Sequence, residues 1–276
     1  MKRVLLSLLM IGLLCLIPAV SRAKMAIYDY HAAINSRFYS EADKNFIGDP
    51  YDFSGVGQSN SSDRWATLVS DNCFISANHY HPGVGETITF YETNDLSGTS
   101  YSYTVTGGQR IGTTDLWIGW FDTAVDTSIE RYEVLDMAND GDYTGLELYI
   151  YGKPNVVGTN TIDWVDNETN VLGSYHTIWY DYDSIANEAR LQSGDSGAPS
   201  FAVVNSSLAL VGVHSAVCKD LNSSIDTFVP AYLDEVNIVI TEQNQLPTTV
   251  PEPGMFSYLL VISCYLWVQR RHNSAA

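Results

Sequence analysis

A serine hydroxyl, an imidazole and a carboxylate stand in this sequence in settings that suit acyl transfer. Gly194-Asp195-Ser196-Gly197-Ala198-Pro199 places a serine between two glycines, where backbone N–H groups can converge on the oxyanion formed when a hydroxyl attacks a carbonyl. A serine is a weak nucleophile until a neighbouring base takes its proton, so Ser196 needs an imidazole. Ile75-Ser76-Ala77-Asn78-His79 ends a β-type run and presents His79 where a strand could hold it beside a cleft. An imidazole with an ordinary pKa of about 6.5 can accept the hydroxyl proton and return it to a leaving group near neutral pH. His81 is the local competitor for that role. The base in turn needs a partner that fixes its tautomer, usually a buried carboxylate. Thr114-Asp115-Leu116 offers Asp115 at the start of an apolar run. Each signal has a plainer reading, a Gly-rich turn for residues 194–199 and a strand-edge cap for Asp115. Agreement of all three favours chemistry.

The elements that would carry these groups read as β-rich. Short runs recur at Trp65–Val69, Cys73–Ser76, Thr87–Tyr91, Tyr101–Thr106, Leu116–Phe121, Leu146–Tyr151, Ser200–Val204 and Leu208–Val213, with turn residues between them. Tyr101, Tyr103 and Val105 alternate with Ser102, Thr104 and Thr106, the period of a half-buried strand. The spacing predicts an all-β sandwich or pair of barrels. One segment, Ala231–Glu242, has helical spacing of Tyr232, Val236, Val239 and Ile240 and reads as a terminal packing helix. Residues 24–49 have weak periodicity and form either a removable pro-segment or an added layer on the fold.

Charge and cysteine usage narrow the classes. The whole chain carries −18, and the positive residues at its two ends leave about −22 on residues 24–250, which argues against nucleic acid as a partner. Of four cysteines only Cys73 and Cys218 fall in that body, so a disulfide scaffold is excluded, and we expect the two to be unpaired. Asp136, Asp140, Gly141, Asp142 and Glu147 partly follow the spacing of a calcium loop, but Ala138 takes a ligand position and an ordinary turn is the better reading. No Cys/His zinc spacing occurs, and no cofactor is expected.

With these motifs in hand, the chain resembles the chymotrypsin/trypsin-like serine protease family. Ser76-Ala77-Asn78-His79 is similar to the family's TAAH, Asp115-Leu116 to its D-[IL]-A-L and Gly194–Pro199 to its GDSGGP, in the order His, Asp, Ser. The resemblance implies two six-stranded Greek-key β-barrels with the active site between them and a C-terminal helix, over residues 50–246. It implies His79, Asp115 and Ser196 as catalytic residues and the N–H groups of Gly194 and Ser196 as an oxyanion hole. Ser215 resembles the serine that braces the family's aspartate, and Ala198, Asn78 and Tyr80 depart from the usual residues in ways that point to a bacterial branch. Arg190 aligns with the floor of the specificity pocket, and Ser193, His214 and Ser215 resemble features of glutamyl endopeptidases. The implied function is an exported serine endopeptidase acting on polypeptides through an acyl-enzyme, with a preference for acidic residues before the scissile bond. No Ile-Val-Gly-Gly start follows a basic residue, so the partner of Asp195 is left open. The alternative is a catalytically silent member of the fold with a surface-binding or matrix role.

The two ends read as address signals. Lys2 and Arg3, the apolar run Val4–Leu16, Pro18, Ser21 and Ala23 predict a signal peptide over residues 1–23, cleaved after Ala23. A polar spacer leads to Val250-Pro251-Glu252-Pro253, an apolar stretch Met255–Val268 that is short for a spanning helix, and Arg270-Arg271. Residues 247–276 thus resemble a spacer and PEP-CTERM sorting tail, which implies processing by an exosortase, membrane contact through the tail, and a cell-surface or extracellular destination. A plain membrane anchor is the alternative.

Overall fold

The computed structural model describes residues 24–167, 169–170 and 173–244. The signal segment, the spacer beyond Asn244 and the PEP-CTERM-like tail lie outside the described residues. Six strands close a barrel in the order Val56–Ser59, Trp65–Leu68, Cys73–Ala77, Leu116–Phe121, Ser100–Arg110 and Thr87–Tyr91, the last pairing back onto the first. Alternation decides which face turns inward: Ile88 and Phe90 of Thr87–Tyr91 are buried while Thr87, Thr89 and Tyr91 are only partly so. The barrel is filled by Leu68, Phe74, Ile88, Phe90, Val105 and Phe121. Phe74 stacks on Phe121 at 5.3 Å and Phe90 meets the same ring edge-on at 6.1 Å, the offset and perpendicular geometries aromatic rings prefer.

Seven strands make the second sheet, in the order Trp164–Asp166, Thr177–Tyr180, Ser223–Phe228, Ser207–Cys218, Pro199–Val204, Glu147–Gly152 and Val156–Thr161. Its core gathers Leu148, Ile150, Ile178, Tyr180, Ala202, Val211 and Phe228. The all-β architecture, a six-stranded barrel with a second sheet and a terminal helix, is the one expected, the second sheet having seven strands. The helix is Leu233–Asn244, two residues later than the sequence spacing suggests, because Val229–Tyr232 first forms a 3-10 turn with Pro230 in its opening positions. The compact body ends at Val239, and Asn244 is the last described residue of that helix. Among the described residues no helix is long and apolar enough to cross a membrane.

Residues 24–49 pack onto both halves. Ala26–Ile27 pairs with Ala189–Arg190, and a four-residue helix, Ala32–Asn35, leads to a fully buried Arg37. Cys73 and Cys218 are free thiols, and burial pushes the Cys73 thiol up. Asp140–Tyr143 is a single 3-10 turn in which Asp142 accepts from the Asn139 amide and Asp140 lies 3.9 Å from His176.

Candidate active site

Strand pairing brings the imidazole and the carboxylate together. In the first barrel Ala77 lies opposite Leu116, so the residues that follow one strand and precede the other become neighbours although 36 positions separate them. The Asn78 N–H donates to the Asp115 carbonyl at 2.8 Å and the His79 N–H to Asp115 Oδ1 at 2.9 Å, which clamps the two loops. His79 Nδ1 then sits 2.7 Å from Asp115 Oδ2. Thr114 Oγ1 donates to the Ile111 carbonyl and accepts from the Leu116 N–H, fixing the turn in which Asp115 stands.

The second sheet supplies the hydroxyl. Ser196 stands on the loop before Pro199–Val204, and the Gly197 N–H and Ala198 carbonyl bond to the carbonyl and N–H of His214 on the adjacent strand, each at 2.9 Å. This docking places Ser196 Oγ 2.9 Å from His79 Nε2. Ser215, on the same strand as His214, donates its hydroxyl to Asp115 Oδ2 at 2.6 Å, and Tyr175 lies 3.3 Å from that hydroxyl. Asp115 is thus nearly buried, while nearly half of the His79 side chain is exposed to the cleft.

The loop around Ser196 has the backbone shape that its glycines allow. Gly197 has φ of +87°, and a Cβ there would lie 2.6 Å from Ser76 Oγ and 3.1 Å from the Tyr80 carbonyl. Among the described residues the N–H groups of Gly194 and Ser196 donate to no protein acceptor. Asp195 is fully buried and its partners are backbone: Oδ1 accepts from the Lys153 N–H at 2.8 Å and Oδ2 from the Gln192 N–H at 2.7 Å. Burial pushes its carboxyl up to about 6 against the pull of those two donors, His214 and Lys153.

Beside Ser196 opens a cavity of about 640 Å³ lined by Arg190, Ser193, His214, Ser215, Lys219 and Asn222 among others. All four residues expected to bind substrate therefore border one cavity with the hydroxyl. Their chemistry differs from the expectation in one respect. His214 is buried and uses both ring nitrogens inward, Nδ1 at 2.8 Å from Asp226 Oδ1 and Nε2 at 2.8 Å from the Tyr151 carbonyl. Both of those partners are acceptors, so both nitrogens carry protons; burial pulls the imidazole down, but the Asp226 carboxylate outweighs it and the pKa is raised. Tyr180 and Ser200 also donate to Asp226, and burial raises the Tyr180 phenol far up. Arg190 donates to Asn222 and lies 5.0 Å over the Tyr182 ring rather than pairing with Asp195. His81, the competing base, stacks on Trp117 at 3.7 Å and lies 3.0 Å from the Pro82 carbonyl.

Sequence reading missed three contributors to this region: Asp226, Tyr175 and Lys153. Asp226 sits in a strand where every residue is buried, so no polar alternation singles it out. Tyr175 and Lys153 reach the site only through tertiary contacts.

No family model matches the sequence, and no curated protein matches it. Solved structures do. A scabies mite inactivated protease paralogue superposes with a TM-score of 0.52 at 17% identity, covering 68% of this chain and 96% of that one. Heparin-binding protein superposes with a TM-score of 0.53 at 13% identity, covering 72% and 95%. The chain has the chymotrypsin-like two-barrel fold. At these identities the likeness speaks for the fold, and the chemistry must be argued from the residues of this chain.

Proposed function

We propose that the protein is an exported serine endopeptidase in which Ser196 is the nucleophile, His79 the general base and then acid, and Asp115 the group that orients His79. The observation that carries this reading is the hydrogen-bonded line from Asp115 through His79 to Ser196 Oγ, at 2.7 and 2.9 Å. With the Asp115 carboxylate accepting at Nδ1, that nitrogen carries the proton and Nε2 faces the hydroxyl as an acceptor. Attack of Oγ on a peptide carbonyl transfers its proton to Nε2. The carbonyl oxygen, now an anion, meets the N–H groups of Gly194 and Ser196, each such donor being typically worth about 3–4 kcal/mol of barrier. Collapse breaks the C–N bond and His79 protonates the leaving amine; water then gives a proton to His79 and attacks the acyl-enzyme, and the C–Oγ bond breaks as His79 returns the proton to Ser196. A silent protein of this fold would have no need of this unbroken line, which is why the enzyme reading is preferred.

A fluorophosphonate probe tests the proposal: the folded body is labelled on Ser196 at neutral pH and Ser196→Ala is not. Absence of labelling in the parent would sink it.

For the residue before the scissile bond we infer an acidic preference that rests on Arg190, aided by Lys219 on the cavity wall. His214 contributes neither a hydrogen bond nor a net charge, since both nitrogens are committed and its ring is paired with Asp226. In a panel of peptides differing only at that residue, Glu and Asp should be cleaved fastest, and Arg190→Gln should erase the difference; equal turnover with Phe or Arg in the parent contradicts it. Export through the signal segment, exosortase processing of the PEP-CTERM-like tail and a bacterial cell-surface destination belong to the same proposal and rest on residues outside those described.

A further inference from the structure

We propose that Lys153, backed by Tyr80 and Arg64, forms a subsite for a carboxylate on the leaving-group side of the scissile bond, so that an acidic residue just after the cleaved bond is favoured. The inference rests on the endopeptidase reading above and extends it to the other side of the serine.

Lys153 follows the strand Glu147–Gly152, and its backbone is held at both ends: its N–H donates to Asp195 and its carbonyl accepts from the Met25 N–H at 3.0 Å. Because Asp195 precedes Ser196, this anchor fixes the lysine to the nucleophile loop itself. The side chain runs beneath Gly194, with Nζ 3.3 Å from where a Cβ on that glycine would stand. The ammonium therefore lies beside Gly194, one of the two residues whose N–H groups are proposed to meet the oxyanion. It is largely covered, only 11% of the side chain being exposed.

Among the described residues its surroundings place no acceptor within hydrogen-bond distance of Nζ. Nζ lies 5.9 Å from the Tyr80 ring centroid, and the Arg64 guanidinium lies 5.0 Å from the same ring. Tyr80 is itself held by a hydrogen bond to the Ser62 carbonyl at 3.1 Å. Arg64 pairs with Glu86 at 3.3 Å, whereas the ion pair of Lys153 with Asp63 is 3.9 Å long, beyond hydrogen-bond distance. The Lys153 ammonium thus has charge balance nearby and donors to give a ligand.

Direction follows from the cavity. Arg190, Ser193 and Ser215 border the cavity on one side of Ser196. Lys153, Tyr80 and Gly194 do not line that cavity but neighbour one another, and the Tyr80 carbonyl lies 3.1 Å from where a Cβ on Gly197 would stand. With the acyl-side chain of a peptide in the cavity, these residues on the other face of the nucleophile loop are the ones open to its leaving group. A carboxylate there would gain a charge-assisted hydrogen bond in a mostly covered place, where screening by salt is reduced.

The test uses internally quenched peptides identical except for Glu or Gln at the first or second residue after the scissile bond. The parent should favour Glu by about tenfold in kcat/KM at low salt. Lys153→Met should bring the Glu-to-Gln ratio close to one, and Lys153→Arg should retain most of it, a pattern that a merely structural lysine would not give. A parent ratio at or below one, or a ratio unchanged in Lys153→Met, overturns the proposal. Should Lys153→Met fail to fold, calorimetric titration of Ser196→Ala with leaving-group peptides beginning in Glu or Gln gives the same discrimination, and equal affinities overturn it. Because this binding needs no turnover, the two readings fail separately. Discrimination without fluorophosphonate labelling would fault the reaction, and labelling without discrimination would fault the subsite.

Discussion

Asp115→Asn should lower turnover by about 10⁴-fold at neutral pH while leaving the fold intact. The geometry says why the loss is so large for the exchange of one atom. Asp115 Oδ1 accepts from the His79 backbone N–H, and Oδ2 accepts from both His79 Nδ1–H and the Ser215 hydroxyl. An asparagine keeps one acceptor oxygen, and the backbone N–H, which cannot rotate or change its proton, claims it. The amide nitrogen then faces Nδ1 with a donor, so the imidazole must move its proton to Nε2. That nitrogen, 2.9 Å from Ser196 Oγ, becomes a donor where an acceptor is required. The measurement is kcat/KM for a peptide substrate, with circular dichroism of both proteins to show the same fold. A loss below tenfold would mean that Asp115 does not set the tautomer and that the base is assigned wrongly.

This dependence on register explains what the sequence could and could not reveal. The motifs around His79, Asp115 and Ser196 are local, and each follows or precedes a strongly apolar strand whose existence the pattern announces. That Ala77 lies opposite Leu116 is a matter of pairing, yet once both strands belong to one barrel their ends must meet. Strands without such patterns stayed hidden. Val56-Gly57-Gln58-Ser59 has one large apolar residue, and it is a strand because partners on both sides pair with it; a Cβ on Gly57 would lie 2.6 Å from the Phe90 ring, so smallness there serves the packing of a neighbour. Ser223–Phe228 carries Asp226 and Thr227 into full burial, which breaks any hydrophobic rule. The reason lies across the sheet, in His214, Tyr180 and Ser200, all of which converge on that carboxylate. The direction of the His214 ring was therefore illegible: a histidine beside a serine on a strand looks the same whether it faces a cavity or a buried acid.

The extension over residues 24–49 had two readings, a removable pro-segment or a layer of the fold, and they lead to opposite experiments. Arg37 decides which outcome we expect. It is buried to 1% exposure, and among the described residues no carboxylate pairs with it; instead Nε donates to Asn94 Oδ1 at 3.0 Å, and Nη2 to the carbonyls of Tyr91 and Thr93 at 2.9 and 3.3 Å. Nη1 reaches the Tyr151 hydroxyl at 3.4 Å. Tyr91 belongs to the closed barrel and Tyr151 to the seven-stranded sheet, so one guanidinium fastens the extension to both halves. Asn35 adds a bond to the Val157 carbonyl, and the Arg37 N–H donates to the Asn155 carbonyl. A buried cation is expensive unless its donors are matched, and here several acceptors match it. Arg37→Met keeps much of the side chain's length but orphans the Tyr91 and Thr93 carbonyls. Its expected cost is about 3 kcal/mol, from lost charged hydrogen bonds and acceptors left dry. Urea unfolding followed by tryptophan fluorescence should show a lower midpoint at unchanged slope. A body lacking residues 24–49 altogether should lose its cooperative transition. If that shortened chain instead unfolds at the parent's midpoint, the extension is a detachable segment and its contacts with the two halves contribute nothing to holding them.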